Sequence, residues 1–195
     1  MPAPARVAAA LVILSAAVQG ITAAATVVNF FSFFTVLSNL LAAAVLLVGA
    51  FRSPRSVRWD LVRGAAVVYM VTTGLVYAVL LSGADEVDRY TPAYLNWVMH
   101  RVMPVVMVID WLLDPPLHAL RPRQLIAWLA FPLAYAAYSL IRGAAIDWYP
   151  YPFLDAGEHG YGEVLLTCVV IGVFIEGLGL AVAWVGRRAA RLRTS

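Results

Sequence analysis

Asn96-Trp97-Val98-Met99-His100-Arg101-Val102-Met103-Pro104, followed by the apolar run 105–109 and then Asp110, decides how the rest of this chain is read. The segment is hydrophobic enough to cross a bilayer, yet it carries Asn, His, Arg and Asp. Ionisable groups at membrane depth are costly, so they face a bundle interior or a wet cavity and tend to mark function. Asn96 and His100 are four apart and share a helix face, whereas Arg101 points about 100° away and can snorkel. Pro104 cannot donate to the carbonyl of His100, and its ring presses on that carbonyl, so the helix is expected to loosen at the histidine.

The surrounding composition agrees with a membrane setting. Of 195 residues, 63% are hydrophobic, and the mean hydropathy is +0.82, which describes an integral membrane protein rather than a soluble domain with a large core. The formal charge of +3 is carried by arginine alone. These arginines sit in short clusters beside apolar spans and form no separate basic face, which argues against nucleic-acid binding. The single cysteine, Cys168, excludes an intramolecular disulfide and a cysteine-based metal site. It reads as a small apolar residue within a helix.

Outward from the central stretch, the sequence predicts an all-α, single-domain bundle of six transmembrane helices over 7–26, 30–51, 61–82, 93–113, 125–141 and 161–185. Each is close to the roughly 20 residues needed to span a bilayer, and the fifth is the shortest. Arg6 and the following apolar run imitate a signal peptide, but the run is longer than an ordinary h-region. If six helices alternate, Arg6, Arg52, Arg55, Arg58, Arg63, Arg121, Arg123, Arg187, Arg188, Arg191 and Arg193 all fall on one side. Arg89 and Arg142 fall on the other, with Asp85, Glu86, Asp88, Asp147, Asp155 and Glu158. The positive-inside rule then puts both termini in the cytoplasm.

Residues able to carry chemistry gather toward the other side. In Asn29-Phe30-Phe31-Ser32-Phe33-Phe34-Thr35-Val36-Leu37-Ser38-Asn39, the polar Ser32, Thr35, Ser38 and Asn39 are expected on one helix face. Such hydroxyls can bond across helices or back to the preceding turn. Counted at 1.5 Å per residue, Thr35 and His100 lie roughly 9 and 10 Å from the outer ends of their spans, so they can share a layer. A hydroxyl becomes a nucleophile when an adjacent neutral histidine takes its proton. Asn39 or Asn96 could donate to an oxyanion, and Asn96 could equally orient the imidazole. Tyr69, Thr73 and Tyr77 share a face of the third span and are candidates to line a cavity. The aromatic loop 148–153, with Trp148, Tyr151 and Phe153, reads either as an interfacial belt or as a lip over that cavity. Asp110 and Glu176 read as structural acids pairing with Arg63, Arg58 or one another. The outer acids and His159 match no dedicated metal site.

Phe33-Phe34-Thr35-Val36-Leu37-Ser38-Asn39, the stretch 95–104 and Trp148-Tyr149-Pro150-Tyr151-Pro152-Phe153-Leu154, taken together and in this order, resemble the ADTRP-like family of androgen-induced multipass membrane proteins, which has bacterial members of similar length. The resemblance covers essentially all six spans and is concentrated in these blocks. It implies a membrane hydrolase of fatty acid esters of hydroxy fatty acids, with Thr35 as nucleophile, His100 as its base, and no metal or cofactor. Trp97 and Arg101 depart from the less bulky or uncharged residues of the animal members, which bears on the substrate. The implied partner is a lipid or fatty-acyl ester within the cell membrane. Alternative readings are a non-enzymatic lipid-binding or partner-stabilising protein, a proton-coupled carrier using His100, Asp110 and Glu176, and an intramembrane protease.

Overall fold

The structure is a computed structural model and describes residues 1–81 and 92–194. Ser82, at the expected end of the third span, and Asp85, Glu86, Asp88 and Arg89, in the loop after it, lie outside the described residues. The described chain is helical and contains no strand. Five of its helical segments are long and apolar enough to cross a membrane: Ala3–Ala23, Phe34–Phe51, Val57–Leu81, Pro122–Ile146 and Ala156–Leu192. The run 93–113 is helical throughout but is not among the five, because Asn96, His100, Arg101 and Asp110 dilute its apolar character.

Helix α1 (Ala3–Ala23) opens after extended Pro2. It buries Ala10, Ile13, Ala16, Ala17 and Gly20 at helical spacing. Small residues at that spacing let backbones approach closely, and α1 packs most extensively on α3 (Phe34–Phe51), which answers with Ala42, Ala43 and Gly49. Between them lies a short helix α2 (Val27–Phe31), N-capped by Thr26, whose hydroxyl accepts from the Asn29 N–H at 3.0 Å. The chain breaks at Ser32 and Phe33 before α3 begins. The expected continuous second span is therefore two helices, and Ser32 leaves the face it was expected to share with Thr35.

Helix α4 (Val57–Val76) is N-capped by Ser56 and belongs to the most buried of the five long apolar segments. It sits centrally, against α3, α6 and α9, and ends in a π-helical turn, Tyr77–Leu81. Across from it runs α5 (Ala93–Trp97), a second π-helical turn over Val98–Val102, and α6 (Met103–Leu113). The second π turn falls where Pro104 was expected to loosen the helix. There the Met103 N–H reaches back five residues to the Val98 carbonyl. Helix α7 (Pro122–Leu125) leads through a 3-10 turn into α8 (Ala130–Ile146), and α9 (Ala156–Thr194) closes the bundle after an interruption at Gly160.

The outside of the bundle is apolar: Leu133, Ile141, Leu165, Leu166, Val169 and Val173 are exposed, while Arg6, Asp60, Arg63 and Asp110 are buried. That inverts the pattern of a water-soluble protein and, with the long apolar helices, makes this a multi-pass membrane protein. At one end the buried charges close on each other. Asp110 Oδ1 accepts from Arg6 Nε at 2.7 Å, and Asp110 Oδ2 accepts from Arg63 Nη2 at 3.3 Å. Arg6 also donates to the Gly49 carbonyl and to Asp114 Oδ2, and Arg63 donates to the Asp114 carbonyl. The pairing of Asp110 with Arg63 follows the sequence expectation, and Arg6 joins it from α1. Arg58 does not take part in these contacts. Beside the cluster, buried Asp60 accepts from the His118 backbone N–H at 3.0 Å and its ring Nδ1 at 2.8 Å.

Candidate functional site

Thr35 is the second residue of α3, where a helix N–H has no intrahelical partner. The Tyr151 hydroxyl fills that role, accepting from the Thr35 N–H at 3.2 Å. Thr35 Oγ1 lies 3.1 Å from the same tyrosine oxygen and 3.2 Å from His100 Nε2. On the far side of the ring, His100 Nδ1 is 3.1 Å from the backbone carbonyl of Asn96. A carbonyl can only accept, so in this bond Nδ1 carries the proton, and when the ring is neutral its Nε2 is a lone pair facing Thr35. The remaining hydrogens then have one consistent order. Tyr151 donates to Thr35 Oγ1, which donates to His100 Nε2.

The imidazole is held from a second direction. The Tyr77 ring stacks on it at 4.2 Å between centroids, and the Asn96 side-chain amide donates to the Tyr77 hydroxyl at 2.7 Å. Tyr77 and His100 each belong to a π turn, and such turns recur at functional sites. Asn96 acts on the ring through its carbonyl and on Tyr77 through its amide. Asn39 is fully buried, and its amide nitrogen bridges the carbonyls of Thr35 and Met99, at 2.9 and 3.3 Å. That ties α3 to the π turn bearing His100.

The loop after α8 delivers Tyr151. Asp147, in the left-handed conformation, ends α8, and Pro150 and Pro152 restrict the segment that follows. The Arg142 guanidinium lies 4.3 Å from the Trp148 ring centroid and donates to Asn29 Oδ1, while Gly143 leaves room for the Tyr149 ring. Phe153 stacks on Tyr151 at 5.2 Å. Burial pushes the Tyr151 phenol above its ordinary value despite its bonds to Thr35, so it serves as a neutral donor.

Two cavities border Thr35. The larger, about 800 Å³, is lined by His100, Trp148, Tyr151, Asn29, Asp155 and Glu158 among others. The smaller, about 100 Å³, is lined by Thr73, Tyr77, Tyr151 and Phe153 with many aliphatic side chains. Three of the expected lining residues lie elsewhere. Ser32 bonds the Val28 carbonyl and Tyr138, Tyr69 donates to the Trp128 carbonyl, and Ser38 is wholly buried in α3. The sequence placed Tyr151 in the lining without foreseeing its direct bonds to Thr35. Its position between two prolines was the available signal. Among the described residues, no three metal-ligating side chains come together. No protein-family model, curated protein or solved structure shows a significant match to this chain.

Proposed function

We propose that this protein is an intramembrane esterase acting on lipid-like esters, of the fatty acid ester of hydroxy fatty acid type by family resemblance. Thr35 is the nucleophile and His100 its base. The observation that carries the reading is the ordered chain from Tyr151 through Thr35 Oγ1 to His100 Nε2, with Nδ1 fixed on the Asn96 carbonyl. His100 takes the Thr35 proton as Oγ1 bonds the ester carbonyl carbon, and the carbonyl electrons move to oxygen. The oxyanion is met by the Tyr151 hydroxyl and by the positive end of α3. On collapse the carbon–oxygen bond to the alcohol breaks, and the alcohol leaves with the proton from His100. Water then attacks the acyl-threonine, passes a proton to His100, and Thr35 leaves with it, giving acid and alcohol.

The membrane arrangement we propose has six crossings, with 93–113 as the fourth, both termini in the cytoplasm and the site in the outer leaflet of the cell membrane. Support for the fourth crossing is its packing on α1 and α4, together with the apolar character of the exposed Val105, Ile109 and Leu112. Support for the orientation is the arginine distribution. The deciding experiment is labelling of purified protein with a lipid-like fluorophosphonate, read by intact mass. One adduct on wild type, absent from folded Thr35→Ala and His100→Ala, is expected. An adduct that persists in Thr35→Ala rejects this nucleophile, and no adduct on any folded sample favours a non-enzymatic lipid-binding protein.

A further inference from the structure

Thr35 and Tyr151 form part of the wall of both cavities, whereas His100 lines the larger one and not the smaller. The distinction fixes how an ester can lie. In the proposed reaction the departing alcohol takes its proton from His100 Nε2, so the alcohol oxygen must be on the side of the larger cavity. That cavity also bears Asn29, Asp155 and Glu158 and suits water and a polar group. The acyl chain must then leave Thr35 in the other direction, toward the smaller cavity.

The smaller cavity is walled by aliphatic groups from three helices, including Val76 of α4, Leu133 of α8, and Cys168 and Gly172 of α9. Leu133 lines it yet is 64% exposed, so the cavity opens sideways through the outer face of the bundle between α8 and α9. The neighbouring surface there is apolar, with Val169 and Val173 exposed. In a bilayer this opening meets lipid tails, and a chain moving from lipid into an apolar cavity need not cross water.

Resting on the esterase reading, we infer that the acyl part of the substrate enters laterally from the bilayer between α8 and α9 and fills the smaller cavity, while the alcohol and the hydrolytic water use the larger one. The 148–153 loop is then the partition between the two, with Tyr151 at the crossing point, and the chain does not pass over it. Substrates are esters with a membrane-soluble acyl chain.

Two readouts test this. A Cβ at Gly172 meets no atom within 4 Å, so Gly172→Phe can extend into the opening without a backbone clash. With p-nitrophenyl decanoate and acetate as substrates in nanodiscs, the variant should lower kcat/KM for decanoate at least tenfold more than for acetate. Equal changes for the two esters overturn the inference. The second readout needs no turnover, because Cys168 is the single cysteine and reports on the smaller cavity. In Thr35→Ala, decanoate ester should slow alkylation of Cys168 by a membrane-permeant maleimide at least fivefold, and acetate should not. Protection without any wild-type turnover removes the esterase reading and leaves the chain-binding cavity standing. Absence of protection overturns the inference whatever the turnover.

Discussion

Two layers of buried polar side chains share the 93–113 helix, roughly 15 Å apart, and they solve the same problem differently. Around Asp110 the groups are formally charged, paired by Arg6 and Arg63, and tied to the ends of α1, α3, α4 and α6. Around Thr35 they are the hydroxyls of Thr35 and Tyr151 in single file with the His100 imidazole, and they border open cavities. A closed ion cluster fixes helices, since removing one partner strands the others. A neutral file can give up and regain a proton without separating a buried ion pair. Burial of polar groups in a membrane bundle therefore does not by itself identify a reactive site. The state of the groups and their access to space do.

The sharpest way to break this contrast is to remove one member from each layer. Asp110→Leu takes the buried carboxylate from two buried guanidiniums and leaves them only the half-exposed Asp114, which costs about 3–5 kcal/mol. We expect a fall in melting temperature of about 10 °C. Thr35→Ala should lower kcat by about 10⁴-fold or more, with the melting temperature within about 2 °C of wild type. If Thr35→Ala melts as early as Asp110→Leu, the Thr35 layer is structural too. Tyr151→Phe comes next. Loss of a single oxyanion donor costs about 10²-fold in kcat, so a fall of that size with little change in KM is expected, and an unchanged kcat removes Tyr151 from the chemistry.

The two layers should also differ in their response to pH. Burial alone would raise the Asp114 carboxyl, but the Arg6 hydrogen bond and the charges of Arg63 and Arg6 outweigh it and hold it below the usual range. Its contribution is therefore present above the unfolded carboxylate value of about 3.9 and is lost as the pH falls through the lowered folded value. Tyr151 is shifted the other way by burial. Its contribution is present below about pH 10 and is lost as the pH rises through the raised folded value. Chemical denaturation across pH should show Asp114→Asn flattening the acid limb and Tyr151→Phe flattening the alkaline limb. An exchange of these effects would contradict the assignment of charge to one layer and neutrality to the other.

Much of the site was legible because its parts announce themselves locally. Pro104, four residues after His100, foretold the loosened helix, and the opposed charges of Asp110 and Arg63 foretold their pairing. What escaped depends on contacts between residues far apart in sequence. Arg6 reaches Asp110 across 104 positions, and Tyr151 reaches Thr35 across 116. The break at Ser32 is anchored by Tyr135, whose hydroxyl donates to the Ser32 carbonyl, and nothing within 27–39 marks it. The pair of buried Asp60 and partly exposed His118 went unseen because each residue alone reads as a loop or helix-end polar group.

The smallest expected effect separates the layers most finely, through a matched pair of glycines. At Gly49, in the charged layer, a Cβ would lie 3.4 Å from the Arg6 guanidinium, an ordinary contact with the end of a flexible side chain. At Gly74 it would lie 3.1 Å from the His100 carbonyl oxygen and 3.1 Å from the Pro104 ring. There the neighbours must yield by a few tenths of an ångström. Pro104 is rigid, and the π turn next to it departs from regular α-helix, so the turn gives way first. Gly74→Ala should then displace the imidazole from Thr35 and lower kcat about tenfold, since small misplacements at a reacting pair are amplified in rate. Its melting temperature should change by no more than about 3 °C, and Gly49→Ala should keep kcat within about twofold of wild type. Equal kcat in the two variants would mean that the turn bearing His100 is as tolerant as the charged layer, and that the geometry between His100 and Thr35 does not limit the rate.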